Sequence, residues 1–163
     1  SDDKLVEYLK KIKVQYYRGN LSNVAQRMIE TAEHSKKKNF IRISGDSPLI
    51  DPDIIDKAIS IFKKNKNYDL ISNIFPRTFP KGQSIEIICT YILKKHLKNM
   101  NKFEKEHVTQ YFYKNPKIFL IKNFINIKKI KFIKTAIDNK KDLANILKKI
   151  KKNEFEKYSI YKS

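Results

Sequence analysis

The sequence predicts an α/β domain built on a mainly parallel, doubly wound sheet. Three observations carry that expectation. Apolar stripes of helical period alternate with short β-rich runs along most of the chain. Two separate stretches share one layout, an apolar run followed by an acid and then a helix start. The 163 residues, 40% hydrophobic and 33% charged, suffice for one core and are too few for two ordinary domains. Residues 1–152 therefore read as a single domain, and 153–163 as a flexible basic tail.

Each element has its own signal. Asp2 or Asp3 can cap a first helix whose Leu5, Val6, Leu9 and Ile12 share one face. Val14–Tyr17 reads as a short strand and Arg18-Gly19-Asn20 as a turn. Val24, Ala25, Met28, Ile29 and Ala32 form the stripe of a second helix. The β-rich run Phe40–Ser44 is stopped by Gly45-Asp46-Ser47-Pro48, after which Asp51 and Pro52 supply an N-cap and a first-turn proline for a helix reaching about Lys64. Asp69–Ser72 is a strand, Pro76–Ser84 a long polar turn, and Ile85–Ile88 a further strand. Thr90–Met100 and Lys105–Lys114 read as helices, Ile118–Ile121 and Ile130–Ile137 as β-rich runs, and Lys140 to Lys151 as a last helix.

Composition narrows the function classes. The net charge of +19, from 36 basic against 17 acidic residues, points first to nucleic acid. Yet only Arg18, Arg27, Arg42 and Arg77 are arginine, the residue that makes forked phosphate and base contacts. With 25 Ile against 10 Leu and abundant Asn, a drift toward adenine- and thymine-rich codons accounts for the lysines better, so nucleic acid is disfavoured as a partner. The longest apolar runs are too short to cross a bilayer, and no charged-then-apolar leader opens the chain, so no membrane is expected. Cys89 has no cysteine partner, which fits a reducing, cytoplasmic setting.

Three stretches can carry chemistry. Asp46 follows a buried-type strand at the carboxyl edge of the sheet, where open α/β sheets bind ligands, and can hold Mg²⁺; the alternative is that it only shapes the turn. Asp138, in Ala136-Ile137-Asp138-Asn139, has the same setting, or is only a helix cap. Two acids at two strand ends of one parallel sheet would face one crevice. In the third stretch Arg77 can fork onto an anion, Gly82 lets backbone approach a ligand, and Glu86 with His107 can bind sugar hydroxyls, although His107 fits a satisfied helical histidine as well.

Four ordered motifs, residues 42–52 (RISGDSPLIDP), 73–82 (NIFPRTFPKG), 104–109 (EKEHVT) and 137–143 (IDNKKDL), resemble the cytidylyltransferase family, nearest its spore-coat polysaccharide biosynthesis F branch and more distantly the acylneuraminate and CMP-KDO synthetases. The resemblance implies a Rossmann-like nucleotide-diphospho-sugar transferase fold, commonly dimeric. It implies CTP and a sugar as substrates, a CMP-sugar and pyrophosphate as products, and Mg²⁺ held by Asp46 and Asp138. Arg77, Gly82, Glu86, Glu106 and His107 fall on the family's sugar side, and Arg18 and Ser44 near its nucleotide side.

The chain departs from that pattern at Ser84, Lys105, Gln110 and Lys134-Thr135-Ala136. The family's opening strand and phosphate-binding loop are expected to lie before Ser1, so the chain reads as amino-terminally shortened, with doubtful activity alone. The alternatives are a non-catalytic remnant or subunit that binds a sugar or a partner chain, and a basic nucleic-acid-binding protein.

Overall fold

The computed structural model describes residues 2–127 and 135–151. In chain order these form helix α1 (Asp3–Lys11), α2 (Val24–His34), strand β1 (Asn39–Arg42), α3 (Pro52–Lys64), β2 (Leu70–Ser72), β3 (Glu86–Cys89), α4 (Thr90–His96) with a 3-10 turn over Leu97–Asn99, α5 (Lys102–His107), α6 (Gln110–Lys114), β4 (Ile121–Asn123) and α7 (Lys140–Lys151). The expected basic tail over 153–163, and residues 130–134 of the expected strand Ile130–Ile137, lie outside the described residues; residues 135–137 of that expected strand are described and pair with no described strand.

The strands make one sheet in the order β1-β3-β2-β4. β2 and β4 run parallel, while β3 runs antiparallel to both of its neighbours. Three strands therefore point the same way and one is reversed. The cause is the connection: residues 73–85 between β2 and β3 contain no helix, and without a helical crossover a chain returning to the adjacent position runs antiparallel. The predicted α/β fold is present as a mixed sheet.

Alternation along each strand divides the core. Leu70 and Ile88 face one layer, packed with Ala25 and Ile29 of α2, Leu93 of α4, Val108, Phe112 and Phe119. Ile71 and Ile87 face the other, with Ile54 and Ala58 of α3, Phe79 and Phe124. Each fully buried Leu, Ile or Phe contributes roughly 1.5–3 kcal/mol relative to exposure. Helix starts are specified locally: Asn23 Oδ1 caps α2 by accepting from Gln26 N at 3.0 Å, and Asp51 Oδ1 accepts from Asp53 N at 2.9 Å just ahead of Pro52.

Four expectations need correction. Val14–Tyr17 is not a strand, and Val14, Tyr16 and Tyr17 are exposed; extended backbone becomes a strand only beside another strand's edge, and none lies beside it among the described residues. α1 forms, but no residue of its apolar stripe is fully buried: Leu5 and Ile12 are 57% and 45% exposed, and Val6 and Leu9 are half-buried. The helix expected over Lys105–Lys114 starts earlier, because Asn101 and Glu104 make a capping box, and breaks at Val108, whose φ of 40° leaves the helical region. Lastly, the strand placed at Ile118–Ile121 begins only at Ile121, where pairing with Leu70 starts.

Candidate functional site

β1, β2 and β4 end at one edge of the sheet and β3 begins there, so Arg42, Ser72, Asn123 and Glu86 meet at that edge by register. Beneath it lies a closed polar cluster. Glu86 is 1% exposed, and both its carboxylate oxygens are engaged: Arg42 Nη1 donates to Oε2 at 2.5 Å and Tyr113 Oη to Oε1 at 2.5 Å. Ser72 Oγ lies 2.7 Å from the same tyrosine hydroxyl. Burial first, then the charge of Glu86, push the Tyr113 hydroxyl far above its ordinary range, so it stays protonated and donates. Nearby, Asn73 receives Ile85 N at 3.0 Å and donates to the Gln83 carbonyl at 2.7 Å, which fixes the turn that leads into β3.

The two acids lie in exposed loops. Asp46 sits exposed in the loop after β1, where Ser47 Oγ donates to its Oδ1 at 2.9 Å and Ser47 N closes a turn onto the Ser44 carbonyl at 3.1 Å. Asp138 is exposed just before α7. The capping of that helix falls to Asn139, whose Oδ1 accepts from Asp142 N at 3.0 Å, while Asp142 Oδ2 receives Asp138 N at 2.9 Å. One backbone bond joins the two loops: Ile137 N donates to the Asp46 carbonyl at 2.8 Å. The acids thus flank a single junction. Two carboxylates are hard oxygen donors of the kind and number that Mg²⁺ takes from proteins, so the residues present fit that ion. No group of three or more His, Cys, Asp or Glu gathers among the described residues.

The remaining expected residues are distributed unevenly. Gly82 is at the junction: its φ is +94°, and a Cβ there would meet Thr135 Oγ1 at 2.4 Å and Ala136 N at 2.5 Å, so only glycine lets this segment cross so closely. Arg77 is exposed, with Nη1 donating to Ser84 Oγ at 3.1 Å. Glu106 and His107 are exposed at the end of α5, and the His107 ring lies against Phe103 with centroids 4.2 Å apart. Arg18 is engaged elsewhere, by Asp3 Oδ1 at 2.8 Å and by Asp2 at the start of α1; these hydrogen bonds raise its pKa.

Sequence reasoning passed over Arg42, Tyr113, Gln83 and Thr135. Arg42 had a visible signal, a charge inside the apolar run Phe40–Ser44; the partners of the other three come from distant segments.

Comparison with known proteins places this geometry among relatives. The model of one family, described as Cytidylyltransferase, matches residues 1–162. An uncharacterized protein of Methanocaldococcus jannaschii is 32% identical over 121 residues, covering 74% of this chain and 48% of that protein. The spore coat polysaccharide biosynthesis protein SpsF of Bacillus subtilis is 27% identical over 124 residues, covering 74% of this chain and 50% of its own length. Among solved structures, a cytidylyltransferase from Leptospira borgpetersenii serovar Hardjo-bovis superposes with a TM-score of 0.82 at 28% identity, over 94% of this chain and 72% of that one. The chain therefore spans about half the length of these two curated relatives.

Proposed function

Because this chain belongs to the cytidylyltransferase family, we propose that it carries the metal and sugar side of a nucleotidyl-transfer site. In that reaction a sugar hydroxyl attacks the α-phosphate of CTP, a CMP-sugar forms, and pyrophosphate leaves. The observation that carries this reading is the bond from Ile137 N to the Asp46 carbonyl, which joins the loop after β1, carrying Asp46, to the non-strand segment ahead of α7, carrying Asp138. Asp46 and Asp138 would hold Mg²⁺. When bound, that ion offsets the triphosphate charge and stabilises charge developing in the displacement. Ser47 orients the Asp46 carboxylate through its hydrogen bond. The exposed side chains of Arg77, Glu106 and His107 are available to sugar hydroxyls, and buried Glu86 supports the site from beneath. Ser44, in the loop that carries Asp46, would face the nucleotide, and Arg18 would have to leave Asp2 and Asp3 to join it.

The likeness to SpsF, a spore coat polysaccharide biosynthesis protein by name, supports a role in surface-polysaccharide synthesis; on the cytidylyltransferase reading the chain would act in the cytoplasm as a homodimer. No helix among the described residues is long and apolar enough to cross a membrane. The test is pyrophosphate release from CTP, Mg²⁺ and candidate sugars. Asp46→Ala is expected to abolish it, and turnover unchanged by that substitution rejects the metal assignment.

A second reading has its own observation. Among the described residues β1 is an edge strand, and a groove of about 320 Å³ runs along it, lined by Tyr17, Met28, Phe40, Ile41 and Ile43 among others. With the exposed Leu5 and Ile12 of α1, this favours a further strand, supplied by more of the polypeptide or by a partner chain, that completes the sheet. Pyrophosphate release that appears only when a longer polypeptide or a short partner is supplied supports this reading; full activity of the 163 residues alone removes it.

A further inference from the structure

Gln83 occupies an unusual place for an amide. It is 4% exposed, yet it lies on no strand or helix. Its Oε1 accepts from Asp51 N at 2.8 Å, and its Nε2 donates both to the Leu49 carbonyl at 2.7 Å and to Thr135 Oγ1 at 3.0 Å. Both amide hydrogens and the carbonyl are thus used, and the partners lie on two different segments. Asp51 and Leu49 belong to the loop that carries Asp46, and Thr135 begins the segment that ends in Asp138.

The circuit closes through the backbone. Thr135 N donates to the Lys81 carbonyl at 2.9 Å, Thr135 Oγ1 reaches that carbonyl at 3.1 Å, and Ile137 N reaches the Asp46 carbonyl at 2.8 Å. Gln83 itself is fixed by its backbone, with its N–H on the Pro80 carbonyl at 3.1 Å and its own carbonyl held by Asn73 at 2.7 Å. Gly82 leaves the space in which Thr135 and Ala136 cross.

We propose that Gln83 is the positioning residue that holds the Asp46 and Asp138 loops at the separation from which both acids reach one divalent cation. It touches neither acid side chain and acts through the two backbones. The inference rests on the metal reading above. It adds that the spacing of the acids is set by a residue outside both acid motifs, in a chain whose sheet does not link these loops directly.

The test uses the whole chain and Mn²⁺ alone, read by paramagnetic broadening of backbone amide resonances near residues 46–47 and 138–139. In the unaltered protein both groups broaden over the same range of Mn²⁺. Supporting residues of metal sites typically change metal affinity by about 10–100-fold, so Gln83→Ala is expected to raise the Mn²⁺ required by about tenfold and to separate the two groups. Thr135→Val removes one strand of the same tether and is expected to act in the same direction, less strongly. It keeps the readout available if Gln83→Ala does not fold. In an Asp46→Asn background, Gln83→Ala should produce no further loss, which a merely structural effect would not show. Broadening in Gln83→Ala and Thr135→Val identical to that of the unaltered chain overturns the positioning role and leaves the two-acid site standing. If the unaltered chain shows no broadening at either acid, the metal reading fails and the role of Gln83 fails with it.

Discussion

Removing Arg42 strands a charge that water cannot reach. Glu86 is 1% exposed and accepts from two donors, Arg42 Nη1 and Tyr113 Oη, each at 2.5 Å. In Arg42→Met the stem volume is kept while the positive partner is lost, and only the neutral tyrosine hydroxyl remains. Breaking a buried pair from one side costs about 3–5 kcal/mol. The Arg42 side chain is itself 24% exposed, which places the expectation at the lower end, about 3 kcal/mol. For a chain of this size each kcal/mol moves Tm by roughly 2–4 °C, so thermal unfolding followed by circular dichroism should show a fall of about 6–12 °C.

The reverse change, Glu86→Gln, leaves the charge on Arg42, which does reach solvent. It should therefore cost less than Arg42→Met. The double variant should recover part of the loss, because Arg42 Nε is already buried with no hydrogen-bond partner among the described residues and the pair is not ideally satisfied. A Tm change below about 2 °C for Arg42→Met, or a larger loss for Glu86→Gln, would refute the claim that a solvent-inaccessible carboxylate governs this edge.

Two further outcomes follow from geometry. Gly82→Ala forces a left-handed backbone on a residue with a Cβ, costing about 1–2 kcal/mol before any clash, and drives that Cβ into Thr135 and Ala136; the Thr135 and Ile137 amides should lose hydrogen-exchange protection while those of β2 and β3 keep theirs. The Glu104 carboxyl is held below its usual range, first by the Asn101 N–H and then by Lys114. A group lowered on folding stabilises above its unfolded value and loses that contribution as pH falls through the folded one. The stability gap between the unaltered chain and Glu104→Gln should accordingly narrow as pH drops below 4.5, the ordinary value, and urea unfolding at several pH values would show it.

Local signals carried most of the architecture. Asp51-Pro52 started a helix where the sequence placed it, and the stripe from Val24 to Ala32 packed as its period required. Asp46 was expected at a strand end and lies in the loop after β1, whereas Asp138 was expected at the end of a strand over Ile130–Ile137 and follows described residues 135–137 that form none. Less legible was whatever depended on distant partners. Among the described residues, Val14–Tyr17 has strand composition and no neighbouring edge, and the apolar face of α1 is only partly covered. The reversal of β3 follows from what the 73–85 connection lacks rather than from β3 itself. Val108 breaks a helix although valine disfavours a φ of 40°, and tertiary packing that leaves it 0% exposed outweighs the strain. Gln83 lay within the polar turn Pro76–Ser84 with no signal of its own, since the three groups it binds are 32, 34 and 52 positions away in sequence.

The open edge of β1 also bears on how the molecule meets copies of itself. Unpaired strand backbone and the uncovered leucine, tyrosine and isoleucine of α1 are adhesive surfaces, and a net charge of +19 keeps two such surfaces apart by repulsion. That repulsion reaches only about 10 Å at 0.1 M salt and shortens further above it. Added salt therefore works against dispersal in this protein: the lysines act as a colloidal spacer, and screening them lets one exposed edge find another.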